Sequence, residues 1–308
     1  MSNLSQFFSG ANTNIALVPI ELFMVAGGGG GSAGGPAGPG LGGSGGGGGT
    51  VMYKKTFAII GKSYTISVGA GGAAGSNGSN TSFANEIVMG GGGGATYNAF
   101  GPAPTPWVDG RIFAPSGGLN NNGAPYPAYG NVIEQRQFIN RTTDINVSSD
   151  GFYTICGFST EYIPYPVNNY GGSGAGTPTY GSPSPFIAGS FGGYGVPAYI
   201  IGIASTIAGG GGGGGYGPTA GGAPGNDGGG NGSSTGIGGT ATVNTGGGGG
   251  GGGTSNNGGA GGSGFVVVRY PTSWAAATVT GNTPTPAQPG YNVYRWNSGP
   301  GTITFNAT

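Results

Sequence analysis

The chain has 308 residues, of which 81 are glycine and 22 proline; only 5% are charged, with eight basic side chains against eight acidic ones. Zero net charge provides no electrostatic footprint for phosphate backbones or anionic lipid, so nucleic-acid binding is not expected, and the lone Cys156 cannot staple the chain internally. Glycine and proline at this level ordinarily mark a disordered chain, but 11% aromatic and 35% hydrophobic residues with so little charge run against disorder and call for an interior.

Residues 1–19 read as a leader suited to attachment. Apolar residues 15–26 are broken by Pro19 and Glu21 and have no basic residue before them. They are also well short of the ~20 residues that span a bilayer as a helix. No membrane insertion is expected, and residues 20–25 are read as a strand feeding a first glycine block. Strands follow at 51–60 and at 64–68, where Tyr64, Ile66 and Val68 alternate with Thr65 and Ser67. Residues 70–80 return to glycine with Ser and Asn, 83–89 form another strand candidate, and residues 20–94 together make the first half of a glycine-rich scaffold.

Residues 95–207 differ in composition. This insert is rich in Tyr, Pro and Asn, and glycine resumes only in the second scaffold half, residues 208–271, with runs at 209–215, 228–230 and 246–253 before the apolar Phe265, Val266, Val267 and Val268. Residues 272–308 read as a Pro-rich tether and a C-terminal β-hairpin with strands at 291–296 and 302–305. No segment shows a capped 3.6-residue apolar period, and glycine costs about 1 kcal/mol per helix position relative to Ala, so almost no α-helix is expected.

Glycine recurs between strands rather than once between domains, which is not how a flexible linker is used. Ordering each glycine costs about 1–2 kcal/mol of backbone entropy, and a residue without a side chain can offset that only through its backbone groups. In the extended helix with three residues per turn, every N–H and C=O points outward and needs a neighbour. The expected fold is therefore mainly β with polyglycine II helices: short antiparallel strands flanking a packed bundle of polyglycine helices. Collagen does not fit, because glycine holds no strict every-third register.

The stretches Phe23-Met-Val-Ala-Gly-Gly-Gly-Gly-Gly, Tyr64-Thr-Ile-Ser-Val-Gly-Ala-Gly-Gly, Gly78-Ser-Asn-Thr-Ser-Phe and Gly261-Gly-Ser-Gly-Phe-Val-Val-Val-Arg-Tyr-Pro carry a resemblance. Together they resemble the glycine-rich tail-fibre and receptor-binding proteins of bacteriophages, of the aquatic-phage type. The resemblance covers about residues 20–95 and 208–271 and the final hairpin, and the insert departs from it. It implies a virion tail protein facing the outside of the cell, whose partners are a host-surface receptor, glycan or outer-membrane protein, and another virion tail protein held through the N-terminal segment. A homotrimer is the assembly common among such fibres.

Chemical motifs are weak. G-x-G-x-x-G matches follow from composition alone. Gly61-Lys62-Ser63 lacks the earlier glycine of a phosphate loop, with Thr56 in its place, and the elbow-like Ser44 has no histidine anywhere to serve as its base. No catalytic residue, cofactor or metal ligand set is expected; residues 221–227, with Asp227 the one carboxylate, read as a polar turn rather than a calcium loop. Two alternatives stay open. Glu134, Asp144, Asp150 and Glu161 in the insert would suit a glycan depolymerase, and a purely structural decoration or filament subunit would need no receptor. For adhesion the candidates are Trp107, Tyr126, Tyr129, Tyr162, Tyr165, Tyr170, Tyr180 and Tyr194, since aromatic rings offer large rigid contact area; the competing role is to cover the edges of the glycine array.

Overall fold

The structure is a computed structural model that describes residues 16–35, 42–94, 152–155, 191–198, 206–215 and 225–308. Within these residues the fold is β, with antiparallel pairing throughout and no helix. In chain order the strands are β1 Leu17–Val25, β2 Val51–Ile59, β3 Ser63–Ser67, β4 Thr81–Phe83, β5 Glu86–Val88, β6 Phe152–Ile155, β7 Val196–Pro197, β8 Thr206–Ile207, β9 Phe265–Pro271, β10 Thr278–Thr280, β11 Tyr291–Trp296 and β12 Gly301–Thr304. One five-stranded sheet runs β11-β9-β1-β2-β6, a second runs β10-β12-β3-β4-β5, and β7 and β8 pair as a separate ribbon.

The strict alternation of a strand sends neighbouring side chains to opposite faces. On β1, Val18, Ile20, Leu22 and Met24 face the second sheet and pack with Val266, Val268, Tyr270, Trp296, Ile66, Phe83, Ile303 and Phe305. The other face carries Phe23 and Val25, which meet Val51, Tyr53, Phe265 and Val267 and are covered by Val196, Ala198 and Ile207 of the small ribbon. Further along that outer face Glu21 accepts the Tyr53 hydroxyl at 2.6 Å and Arg269 Nη2 at 2.7 Å, while Lys54 and Glu86, 2.6 Å apart, tie the two sheets together.

Several sequence expectations change here. The first strand begins at Leu17, so residues 17–19 belong to the sheet and not to the leader. Residues 83–89 are not one strand: Ala84 turns the chain at φ 50, making β4 and β5 a hairpin. The expected terminal hairpin does not form. β11 pairs with β9, whereas β12 pairs with β10 and β3 in the opposite sheet, because Trp296 and Ile303 both enter the core from different sheets. The supposed Pro-rich tether is part of the sandwich as well, contributing β10 and packing Trp274 and Ala277 against the core. The insert also lends strands, since β6 extends the first sheet through β2.

Glycine segments grow from one end of this sandwich, continuing β1, β3, β5 and β8 and leading into β2, β4, β7 and β9. Their hydrogen bonds repeat every third residue. Ala26, Gly29 and Ser32 donate to the carbonyls of Thr50, Gly47 and Ser44 at 3.0, 2.8 and 2.8 Å. Gly27 and Gly30 donate to Ser79 and Ser76, and Gly28, Gly31 and Gly34 to Gly262, Gly259 and Asn256. In the other sense the carbonyls of Gly27 and Gly30 accept from Gly91 and Gly94, those of Gly28 and Gly31 from Gly72 and Gly75, and those of Gly29 and Ser32 from Gly249 and Gly252. Residues 26–35 are thus ringed by antiparallel neighbours to which they donate and parallel neighbours from which they accept.

Residues 246–253 are enclosed in the same way. Gly248 and Gly251 donate to Gly209 and Gly212, Gly249 and Gly252 to Gly29 and Ser32, and Gly250 and Gly253 to Gly239 and Gly236. A Cβ on Gly249 would strike the carbonyl of Gly259, and one on Gly28 that of Gly247. These central runs admit no side chain. Outer segments carry one every third residue, pointing away: Ile237, Thr240 and Val243 are exposed while Gly238 and Ala241 between them are buried.

Two outcomes are expected. Gly249→Ala overpacks against backbone that has no flexible end to move, and should lower unfolding stability in urea by about 3 kcal/mol or more, whereas Gly236→Ala, whose Cβ would meet only Ser233 Oγ at 3.4 Å, should fall within about 0.5 kcal/mol of the parent. Burial, then the hydrogen bond to Glu21, raises the Tyr53 phenol well above its ordinary 10.0, and burial followed by Tyr294 does the same for Tyr270. A raised folded-state value contributes stability that is intact below the unfolded value and lost as pH climbs past it. The melting temperature should therefore fall above about pH 10, and less steeply in Tyr53→Phe/Tyr270→Phe; equal slopes would contradict this.

Candidate functional site

The far ends of the glycine segments converge opposite the sandwich. Gly34 donates to Asn256 and Ser255 to Gly35, both at 2.9 Å; Gly43 donates to Gly252 at 2.6 Å, Gly253 to Gly236 at 2.9 Å, and Gly215 to Ser233 at 3.0 Å. Asn256 Nδ2 bridges the carbonyls of Thr235 and Thr254. Residues 35, 42, 94 and 215, where the chain passes out of the described residues, lie at this end. Its side chains are short hydroxyls and amides, and Ser44 Oγ and Thr254 Oγ1 are buried with no hydrogen-bond partner. Among the described residues Asp227 is the one ionisable acid or base in the glycine bundle; Glu21, Lys54, Lys55, Lys62, Glu86, Arg269 and Arg295 all belong to the sandwich.

Of the aromatic candidates, Trp107, Tyr126, Tyr129, Tyr162, Tyr165, Tyr170 and Tyr180 lie outside the described residues, as do Glu134, Asp144, Asp150 and Glu161. Tyr194 is described and is 63% exposed. It sits on an outer glycine segment that descends toward β7, between Gly193, whose carbonyl accepts the Gly210 N–H at 2.8 Å, and Gly195, whose N–H donates to Asp227 Oδ2 at 2.6 Å. Burial repeats every three residues here too: Phe191 and Tyr194 are exposed, and Gly192, Gly193 and Gly195 are buried. The two rings therefore share one face.

Asp227 is the fastener of this ledge. Its other carboxylate oxygen accepts the Thr206 hydroxyl, and the neighbouring Asn226 donates Nδ2 to the Gly192 carbonyl at 2.6 Å. Asp227 itself adopts φ 46 in a tight turn, a conformation Asp tolerates better than most residues. The carboxylate is committed to a backbone N–H and a hydroxyl, in keeping with the polar turn read from the sequence.

Sequence reasoning missed Phe191 and the role of Asp227. The available signal was the three-residue spacing of Phe191 and Tyr194 across two glycines, the same spacing that sets Ile237, Thr240 and Val243 outward. Elsewhere, Gly61 and Lys62 follow β2 in the turn before β3, with Lys62 Nζ 5.3 Å above the Tyr64 ring, and Ser44 sits buried against Ser32. Burial lowers the Arg295 value; its guanidinium stacks 4.4 Å from the Phe265 ring, a packing role in the sandwich. Among the described residues no three His, Cys, Asp or Glu side chains gather, and no helix is long and apolar enough to cross a membrane.

Replacing Asp227 by Asn leaves one acceptor and turns an N–H2 toward a donor, which costs about 1–3 kcal/mol locally. Chymotryptic cleavage after Phe191 and Tyr194 is expected to rise several-fold in Asp227→Asn relative to cleavage within the sandwich; an unchanged pattern would show that the carboxylate does not hold the ledge.

A family model described as a glycine-rich domain matches residues 10–271. No curated protein matches the chain.

Proposed function

The chain belongs to the glycine-rich domain family, and we propose that it is a bacteriophage virion protein, a tail-fibre tip or tail-associated adhesin, in which packed polyglycine II helices form a rigid scaffold that displays loops to a host-surface receptor. The observation that carries this reading is the three-residue repeat of hydrogen bonds around residues 26–35 and 246–253, donating to one set of neighbours and accepting from another. A helix with three residues per turn and unpaired outward backbone groups generates that repeat in a hexagonal array. At ~3.1 Å per residue, residues 26–35 would make a rod about 30 Å long.

A rod with a sandwich at one end has two poles. The sandwich pole holds the start of β1, next to the leader, and would dock onto another virion tail protein. The glycine pole gathers the points where the chain leaves toward residues 95–151 and 216–224, and there a receptor would be met. An uncharged pole of hydroxyls, amides and backbone groups suits recognition by hydrogen bonding and aromatic packing, not steering by charge. The protein in this role performs no chemistry and needs no cofactor. The resemblance of residues 20–95 and 208–271 to phage receptor-binding proteins supports the same assignment, and the receptor is a glycan or an outer-membrane protein of the host.

Labelled protein is expected to bind saturably to the cells of at least one strain in a panel of aquatic bacteria. Alanine at Trp107, Tyr126, Tyr129, Tyr162, Tyr165, Tyr170, Tyr180 and Tyr194 together should weaken that binding at least tenfold without moving the melting temperature. Binding to no strain counts against the adhesin reading, and full binding by the substituted protein counts against these aromatics.

A further inference from the structure

Phe191 and Tyr194 are 50% and 63% exposed on one face of a segment whose intervening glycines cannot shift. A Cβ on Gly192 would strike the Gly210 carbonyl, and one on Gly195 the Ile207 carbonyl, so the segment is seated at closest approach along its length. Three residues of extended chain at ~3.1 Å each put the two rings about 9 Å apart. The Asp227 carboxylate and the Asn226 amide fix the backbone on either side of Tyr194. The result is a pair of flat apolar faces held at set spacing and orientation before any ligand arrives, which removes the ordering cost that weakens binding to mobile aromatics.

We infer that Phe191 and Tyr194 form a stacking ledge for a neutral glycan chain, the two rings taking the C–H faces of sugars two apart along the chain. This rests on the adhesin reading and names the ligand class of one part of its surface. The electron-rich face of an aromatic ring attracts the partially positive C–H groups of a pyranose, and sugars two apart in an extended chain present equivalent faces at a separation of this order. Charge selects the class. The one ionised group beside the ledge is Asp227, and both of its carboxylate oxygens are already engaged by Gly195 and Thr206. With no cation on the described part of the bundle, an acidic polysaccharide or a phosphorylated headgroup finds no partner there. Flat stacking also separates this pair from Ile237 and Val243, which are as exposed but offer no ring.

The test is an array of neutral and anionic oligosaccharides probed with the full-length protein. Retention by neutral members is expected, with at least a tenfold loss in Phe191→Ala/Tyr194→Ala and less than a twofold change in Tyr194→Phe, which keeps the ring and drops the hydroxyl. An unchanged melting temperature in the double variant excludes unfolding as the cause; were it lowered, the single Phe191→Ala should still lose binding several-fold at full stability. Preference for anionic members, no retention by neutral ones, or full retention by the double variant overturns the inference. A protein that binds bacterial cells but no neutral glycan leaves the adhesin reading standing while removing the ledge from it; failure to bind any cells removes that reading itself.

Discussion

Everything in this fold depends on the backbone hydrogen bond between glycines packed so closely that a carbonyl oxygen occupies the space a Cβ would fill. At Gly28, Gly249 and Gly251 the obstructing atom belongs to another glycine segment and is itself hydrogen-bonded or enclosed, so the obstruction is built into the backbone. Close approach and hydrogen bonding are one constraint here. Without the first the N–H of one segment could not reach the C=O of the next, and without the second the ordered glycines would have nothing to offset their entropy.

The magnitudes explain why a sandwich is attached. A backbone hydrogen bond contributes about 1 kcal/mol net, while fixing a glycine costs about 1–2 kcal/mol. A bundle of glycine segments is therefore near balance at best. Its segments begin and end in strands whose side chains are fully buried, Leu22, Met24, Val266, Trp296 and Phe305 among them, and burial of each large apolar side chain is worth about 1.5–3 kcal/mol. The sandwich also sets the register. Thr81 Oγ1 accepts from Gly69 and donates to the Val25 carbonyl, coupling the first glycines of two segments to the last residue of β1. Segments that leave the sandwich already aligned need only continue.

The β character, the ordered role of the glycine runs and most strand positions were legible in the sequence, because Tyr64 to Val68 alternates and Phe265 to Val268 is uniformly apolar. Pairing was not. Residues 291–296 and 302–305 look like hairpin arms separated by a Gly-Pro turn, and nothing local reveals that Trp296 and Ile303 enter one core from opposite sheets. Proline concealed the folded state of residues 271–289 in the same manner, since Trp274 gains its partners only from Tyr270 and Phe305 far along the chain or across the sheet. The ledge was half legible: Tyr194 was singled out as one aromatic among many, while its pairing with Phe191 follows from a three-residue period that composition alone does not display. That period was present in the outer segments all along, at Ala70 and Ala73, at Asn257, Ala260 and Ser263, and at Ile237, Thr240 and Val243.

Amide hydrogen exchange resolved along the glycine runs tests the central claim most directly, because it reads the hydrogen bonds themselves. Strong protection is predicted at Gly248 to Gly253, whose N–H groups are donated to enclosed carbonyls, together with rapid exchange at the outward-facing Ile237, Thr240 and Val243 of the same bundle. Exchange at the free-peptide rate throughout residues 246–253 would contradict the account and reduce the glycine runs to flexible linkers between strands.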